Sequence, residues 1–351
     1  MTIPKTSRAS TSLSTRFKLG GVIKVYPEDF IVEETWTDRT CTVANSALSR
    51  LRDAVVARTQ RPGAYLHFTM VKKNWTTVKA LRHLKRRLRV SLKRFGTSGM
   101  KDKRAVTAQR VSMWRGEARQ LARIGIPDIR FKDFAYTAER INLGEATGNR
   151  FTITIRNIPR AENDITTTLT RFIAVARIEG MPNYYGPQRF GGQNAEIGDA
   201  IRIGNLQGAT ELLLAKLQPA IAKGGLAAVP DVFWYEKLVA QHLMQHPNDY
   251  AGALRRTPKR ILRIFCHAYQ SRIFNERLRR AIELNEVPPT ITVDGFKVSK
   301  MPELSTHSIV RPCRIRPIDL RLVRVQPGQA TIRFSLGSGE YATTVLSQLI
   351  D

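Results

Sequence analysis

Segments with the two-residue period of β-strands occur near both ends of the chain, and a mainly helical stretch separates them. Alternating apolar and polar residues predict a strand at 65–70. The segments 105–114, 150–155 and 330–336 are also predicted to be strands. Helical patterns are found at 78–88, 164–178, 209–218, 237–244 and 259–282. Strands that lie close together in sequence and mix with helices are typical of the α+β class rather than of a regular βαβ array.

The length and the change in composition predict two domains. A chain of 351 residues usually holds more than one hydrophobic core. We expect residues 19–192 and 323–351 to form one domain and residues 193–322 to form a smaller inserted one. Residues 1–18 are rich in Ser, Thr, Lys and Arg and predict a flexible basic tail. The same composition loosely resembles an organelle transit peptide, although no long amphipathic helix is evident.

The charge is strongly positive. Lysine and arginine number 57 against 29 acids, which gives a formal net charge of +28. A polyanionic partner relieves the self-repulsion of such a chain, and the phosphate backbone of a nucleic acid is the first candidate. An anionic membrane surface is the alternative. No apolar run approaches the length of a membrane span, and we expect no contact with membranes.

The cysteines predict a reducing compartment. Cys41, Cys266 and Cys313 are odd in number and far apart, and no CxxC pair occurs. Neither a disulfide framework nor a cysteine zinc site is implied, so the cytoplasm is the expected location.

A basic helix follows the first predicted strand. Between Lys79 and Arg94 the chain has eight lysines and arginines and no acid. These charges could form a solvated helix face, but their density favours contact with phosphate groups. The residues predicted to bind RNA here are Lys85, Arg86 and Arg89.

A lone aspartate, Asp102, stands among the cations Lys101, Lys103 and Arg104. Cations favour the ionised carboxylate, and a carboxylate on a turn above a sheet suits covalent or electrostatic catalysis on a sugar. From the residues alone, an aspartate between two lysines is more often a surface ion pair.

Six ordered segments resemble the TruD family of tRNA pseudouridine synthases. The sharpest is GMKDKRAVTAQ at 99–109, and the longest is PNYYGPQRFG at 182–191. The others are KVYPEDFIVEE at 24–34, GNRF at 148–151, AYQSRIFN at 268–275 and GEYATT at 339–344. One departure is Ser98, where the family usually has alanine.

The resemblance implies a fold, an activity and a set of site residues. The fold is a pseudouridine-synthase-like catalytic domain with a mixed or antiparallel sheet, interrupted by a smaller TRUD-type α+β domain. The activity is isomerisation of uridine to pseudouridine in tRNA, at position 13. By similarity Asp102 is the catalytic carboxylate, Phe151 stacks on the target base, Asn149 orients the base or the aspartate, and Lys24 lies near the carboxylate. Lys101, Lys103, Arg104 and Arg189 are further predicted RNA contacts, and we expect a monomer.

The implied reaction needs no cofactor. Nothing is oxidised and no group enters or leaves, and the sequence has neither a dinucleotide fingerprint nor a P-loop. His242 and His246 have the i, i+4 spacing of helical zinc ligands, but no third ligand is evident, so we predict no metal.

A non-catalytic RNA-binding protein, such as a tRNA folding chaperone, is the main alternative function. The charge and the basic helix serve either function equally. Asp102 distinguishes the two functions. RNA binding alone does not need a carboxylate, because a carboxylate repels phosphate.

Overall fold

The computed structural model describes residues 17–59 and 63–350. These residues divide into two compact units. The larger unit contains residues 17–181 and 316–350, and the smaller contains residues 182–315. Most of the predicted basic tail lies outside the described residues. Its residue Phe17 is buried and packs edge-on against Phe172, with 5.8 Å between ring centroids.

The strands are named in chain order. They are β1 (Phe30–Thr35), β2 (Tyr65–Lys73), β3 (Phe95–Thr97), β4 (Val106–Trp114), β5 (Ile129–Thr137), β6 (Gly148–Ile155), β7 (Met181–Pro182), β8 (Thr290–Val293), β9 (Ile309–Pro312), β10 (Arg314–Ile315), β11 (Ile318–Gln326) and β12 (Gln329–Gly337).

The helices are named in the same way. They are α1 (Ala47–Thr59), α2 (Thr77–Leu88), α3 (Ala118–Ala122), α4 (Glu162–Glu179), α5 (Pro187–Phe190), α6 (Asn194–Arg202), α7 (Leu206–Leu214), α8 (Gln218–Gly224), α9 (Trp234–Gln245), α10 (Tyr250–Arg255), α11 (Lys259–Glu283) and α12 (Ala342–Ile350).

The larger unit is built on one eight-stranded sheet. Its order is β11-β12-β6-β1-β4-β2-β5, and β3 pairs with the far end of β4. Strands β1 and β4 run parallel, whereas the other neighbouring pairs run antiparallel. The mixed sheet with its flanking helices confirms the predicted α+β class.

Helix α2 covers one face of this sheet because its apolar residues recur on one side. Leu81 and Leu84 are buried in the same core cluster as Phe68 and Met70 of β2. The helix begins where the Thr76 hydroxyl accepts a hydrogen bond from the Lys79 amide, which satisfies one of the free N–H groups of the first turn. The opposite side of α2 is left to its cations.

The smaller unit has a mainly helical core. Ile201 of α6, Leu213 of α7, Val239 of α9 and Leu262 of α11 are buried in a single cluster. Helices α6 and α11 approach closely at Gly198, where an added Cβ would lie 2.1 Å from the carbonyl oxygen of Phe265. Strands β8 and β9 form a two-stranded antiparallel sheet in this unit.

The two units divide at residues 182 and 316, whereas the sequence placed the domain edges at 193 and 323. Hydrogen bonds explain why the first edge lies at residue 182 rather than 193. The Asn183 amide donates to the Cys313 carbonyl (2.9 Å), and the Tyr185 amide donates to the Asn275 side chain (2.8 Å). These bonds tie the tyrosine-rich segment to the smaller unit, and composition does not reveal them.

No single helix among the described residues is long and apolar enough to cross a membrane. In the part of the chain that the structure describes, one pair of helical segments, Leu206–Ala228 and Asp231–Gln245, reaches that length and apolarity together, and it is bent by 89°.

Candidate active site

Polar and aromatic side chains share one face of the central sheet. On β1 this face carries Val32 and Glu34, and the residues directly opposite them on β6 are Phe151 and Asn149. Residues paired across neighbouring strands point to the same side of a sheet. Lys72 joins the same face, because it pairs with Thr107 of β4, which pairs in turn with Val32.

Asp102 lies in an irregular segment between β3 and β4, which we call the Asp102 loop (residues 98–105). Strand β4 starts beside the start of β1, since Val106 pairs in parallel with Ile31. The loop therefore lies near the segment that leads into β1. Lys24 in that segment places its ammonium 3.2 Å from Oδ2 of Asp102 and 4.0 Å from the centre of the Phe30 ring. The side chain of Asp102 is 47% exposed, so its carboxylate is open to a ligand.

Side chains from the sheet and from α2 hold the Asp102 loop in place. The Gln109 side chain donates to the Gly99 carbonyl (3.1 Å). The Thr77 hydroxyl accepts from the Lys101 amide (3.1 Å) and donates to Gln109 Oε1 (2.8 Å). The buried Ser98 hydroxyl accepts from the Ala146 amide (2.7 Å), so the residue that departs from the family pattern also anchors the loop.

The Lys101 side chain points into the protein. Its ammonium lies 2.8 Å from Oε1 of Glu34 and donates to Oδ1 of Asn149 at 2.7 Å. Glu34 is completely buried, and its second oxygen accepts from the Trp36 indole (3.0 Å) and the Arg110 amide (2.9 Å). The sequence predicted that Lys101 contacts RNA. In the structure its side chain is 9% exposed and is used to fix the loop to β1 and β6.

Asn149 and Phe151 differ in what they contact. Asn149 bonds to Lys101 and so reaches Asp102 through that neighbour rather than directly. Phe151 is 6% exposed and stacks on Phe334 of β12, with 5.5 Å between ring centroids and 30° between planes. Phe30 packs on it edge-on at 6.1 Å. These three rings form an apolar floor on the same sheet face as Glu34.

Glycine is needed where this floor meets β12. A Cβ on Gly148 would lie 2.1 Å from the Leu336 carbonyl oxygen, closer than any side chain could be placed. By contrast, nothing lies within 4 Å of a Cβ on Gly99, so the surroundings leave that edge of the Asp102 loop open.

The remaining predicted RNA contacts lie in three places. Lys103 and Arg104 are exposed beside Asp102, and Lys85, Arg86 and Arg89 are exposed along α2 and at its C-terminal end. Helix α2 starts at Thr77, which bonds to the Asp102 loop, and these three cations lie in its last turn and at its C-cap. Arg189 belongs to the smaller unit, where its guanidinium donates to the Ser271 hydroxyl at 3.1 Å.

Two residues of the site, Glu34 and Lys72, were not predicted from the sequence to have a role in it. Lys72 is 0% exposed, and its ammonium donates to the carbonyl groups of Trp75 (2.7 Å) and Asp102 (2.9 Å). Burial lowers the pKa of Lys72 from 10.5 to about 8, although the negative charge of Asp102 acts in the opposite direction. The available signal was the two-residue period of β2, which places Lys72 on the side of the strand that carries Leu66, Phe68 and Met70.

No group of three or more His, Cys, Asp or Glu side chains suited to a metal ion occurs among the described residues. His242 is accounted for by other partners. One ring nitrogen bonds to Asp249 (2.8 Å) and the other accepts from Arg256 (3.2 Å).

The fold and this site define an α+β protein with a carboxylate-centred site on a mixed sheet, and comparison with known proteins gives its family. The sequence profile of tRNA pseudouridine synthase D (TruD) matches residues 10–289. The chain is 31% identical to the probable tRNA pseudouridine synthase D of Methanopyrus kandleri, over 82% of this chain and 86% of that protein.

Two further matches cover nearly the whole length. The chain is 28% identical to the probable tRNA pseudouridine synthase D 1 of Methanocaldococcus jannaschii, over 95% of this chain and 96% of that protein. The crystal structure of the putative tRNA pseudouridine synthase D from Methanosarcina mazei superposes with a TM-score of 0.73 at 25% identity. It covers 97% of this chain and 95% of that one. The chain belongs to the TruD family.

Replacing Glu34 with alanine will strongly destabilise the larger unit. The substitution leaves the Lys101 ammonium buried without its counter-charge, which costs about 3–5 kcal/mol in comparable sites. Urea unfolding followed by circular dichroism measures the loss. Glu28→Ala is the control, because Glu28 pairs with Lys73 at the surface and exposed pairs contribute at most about 1 kcal/mol. Equal losses for the two variants would contradict a structural role for the buried pair.

The stability of the protein should depend on pH through Lys72. Because the pKa of Lys72 is lower in the folded state, the unfolded chain holds its proton more tightly, and the free energy of unfolding rises with pH between about 8 and 10.5. Between pH 6.5 and 9.5, wild type should gain about 2 kcal/mol relative to Lys72→Met. A difference between the two proteins that stays constant over this range would show that Lys72 is not perturbed.

Proposed function

We propose that this protein is a tRNA pseudouridine synthase that converts uridine 13 to pseudouridine without a cofactor, with Asp102 as the catalytic carboxylate. The observation that carries the proposal is the open carboxylate of Asp102, which stands 3.2 Å from Lys24 on a loop fixed by buried polar groups. The names of the relatives support the reaction class.

The reaction fits the groups that the site offers. The N1–C1′ bond of uridine breaks, the base turns and a C5–C1′ bond forms. The hydrogen on C5 leaves as a proton and N1 takes up a proton, so the composition of the RNA does not change. Asp102 serves this sequence either by attacking the sugar or by removing a proton from it, and both routes use the ionised carboxylate. Lys24 contacts Oδ2 of this carboxylate and limits its direction through the ion pair.

The substrate would be held by cations and by the apolar floor. A base buried in a helical stem must leave its stack before its glycosidic bond can be reached, and an aromatic surface compensates for the lost stacking. Phe151 would provide that surface. Its ring is 6% exposed and lies between Phe30 and Phe334, so the base reaches it when the side chains that cover it move aside. The exposed cations Lys85, Arg86 and Arg89 would contact the tRNA phosphates.

The location and the alternative function follow from the same features. Cys41, Cys266 and Cys313 are buried and unpaired, which suits the cytoplasm. A non-catalytic RNA-binding protein would gain nothing from the buried network that presents Asp102, because a carboxylate repels phosphate. We therefore favour the enzyme.

Asp102→Asn will abolish pseudouridine formation, by at least about a thousandfold, while tRNA binding changes less than about threefold, because the amide is isosteric but is neither an effective nucleophile nor a base. The assay incubates an unmodified tRNA transcript with each protein and maps pseudouridine by carbodiimide-dependent primer stops.

Two controls accompany this assay. Asp128→Asn removes an equal charge from an exposed position in the same unit and should retain full activity. A transcript with cytidine at position 13 should remain unmodified. If wild type binds several tRNAs and modifies none of them, the protein is an RNA-binding module.

Replacing Lys85, Arg86 and Arg89 together with glutamine will weaken tRNA binding and reduce its dependence on salt. For every phosphate group that the variant no longer neutralises, the slope of log affinity against log salt becomes shallower by about 0.7–0.9. Filter binding at several salt concentrations measures the slope, and the single-turnover rate at saturating tRNA should stay unchanged. An unaltered slope would place the RNA elsewhere on the protein.

A further inference from the structure

Lys72 is a buried cation without a carboxylate partner of its own. Its residue exposure is 0%, and none of the ion pairs among residues 17–59 and 63–350 includes it. Both of its hydrogen-bond partners are backbone carbonyl groups, those of Trp75 and Asp102. The charges that act on its pKa are the negative charge of Asp102, which raises it, and the positive charge of Lys101, which lowers it.

Such an arrangement is expensive for the fold. An ammonium removed from water loses hydration that two carbonyl groups replace only in part. The lowered pKa of Lys72, about 8, reflects this cost. An apolar residue of similar length would fill the same space on β2 without that cost, so stability alone does not account for a lysine here.

One of the two hydrogen bonds of Lys72 holds the backbone at Asp102. Before Asp102, the other anchors of the Asp102 loop act on Ser98, Gly99 and Lys101, and after it the Asn74 amide donates to the Ala105 carbonyl (3.1 Å). Among the described hydrogen bonds, the Asp102 carbonyl accepts only from Lys72. Because the loop has no helix or strand of its own, a donor at this carbonyl fixes the orientation of the peptide plane that follows the Asp102 Cα.

The second bond of Lys72 links this point to α2. Trp75 immediately precedes Thr76, the residue that caps α2. One ammonium therefore joins the end of β2, the start of α2 and the Asp102 backbone. Fixing the backbone on both sides of the Asp102 side chain limits the directions in which its carboxylate can point.

We propose that Lys72 is a positioning residue for the isomerisation, which holds the Asp102 backbone from beneath so that the carboxylate meets the bound nucleotide at a fixed angle. The inference rests on the proposed function of Asp102. Misplacing a reacting group by about 1 Å costs on the order of a hundredfold in rate. Lys72 is fully buried beneath the Asp102 loop, so its loss should change the rate and leave tRNA binding intact.

The test compares Lys72→Met with Lys132→Met. Lys132 is a matched control, because it is also buried in the larger unit and its ammonium donates to a backbone carbonyl, that of Ala44 (2.6 Å). Single-turnover pseudouridine formation at saturating tRNA gives the rate, and filter binding gives the dissociation constant. We expect Lys72→Met to be at least about thirtyfold slower with a dissociation constant within about threefold of wild type, and Lys132→Met to keep both values.

Two outcomes overturn the inference. One is a wild-type rate in Lys72→Met, and the other is a loss of tRNA binding large enough to explain the slower reaction. If Lys72→Met does not fold, Lys72→Ile replaces it, since a β-branched apolar side chain suits a strand and also removes the donor. A wild-type rate in that variant also overturns the inference. Inactive wild type would instead contradict the proposed function.

Discussion

The ion pair between Glu34 and Lys101 is the interaction on which the rest of the site depends. Glu34 is completely buried in β1, at the centre of the sheet, and all of its described partners are N–H groups. Burying a carboxylate is unfavourable unless its oxygens are bonded and its charge is matched. Lys101 supplies the matching charge, and it is the residue next to Asp102. The same contact that balances the buried charge therefore fixes the loop that presents the Asp102 carboxylate.

The site combines a rigid underside with an open surface. Beneath the Asp102 loop, Thr77, Gln109 and Lys72 bond to its backbone. Above it, the Asp102 side chain remains about half exposed and contacts Lys24. A loop without regular structure can hold a reacting group in place only if the groups that support it are themselves fixed by packing. Here they stand on β2, β4 and the first turn of α2.

Helices and strands were predictable where the apolar residues recur with a clear helical or two-residue period and where capping or turn residues mark the ends. Helix α2 has an apolar stripe and a capping threonine, and β2 alternates along most of its length. Strand β1 was not predicted from the sequence, although it is central to the sheet, because the adjacent Glu33 and Glu34 break its apolar pattern. Both glutamates are buried and paired, with Arg150 and Lys101 respectively. Such pairing joins residues far apart in sequence, and no local pattern reveals it.

The candidate site was predictable in its chemistry but not in its internal contacts. The motif around Asp102 pointed to the carboxylate, yet the spacing of the cations did not reveal which of them turn inward. Lys101 and Lys103 are separated by one residue, and the structure buries the first ammonium and exposes the second side chain. The inward direction of Lys101 depends on the Glu34 carboxylate of β1, which lies close to Lys101 only in the folded chain.

The central claim is that this site isomerises uridine with its own side chains. The most direct measurement is the release of tritium from tRNA labelled at C5 of uridine, by wild-type protein dialysed against a chelator. We expect one tritium to be released for each tRNA, with the mass of the RNA otherwise unchanged. Tight binding of the tRNA without tritium release, or release that requires an added metal or cofactor, would contradict the claim.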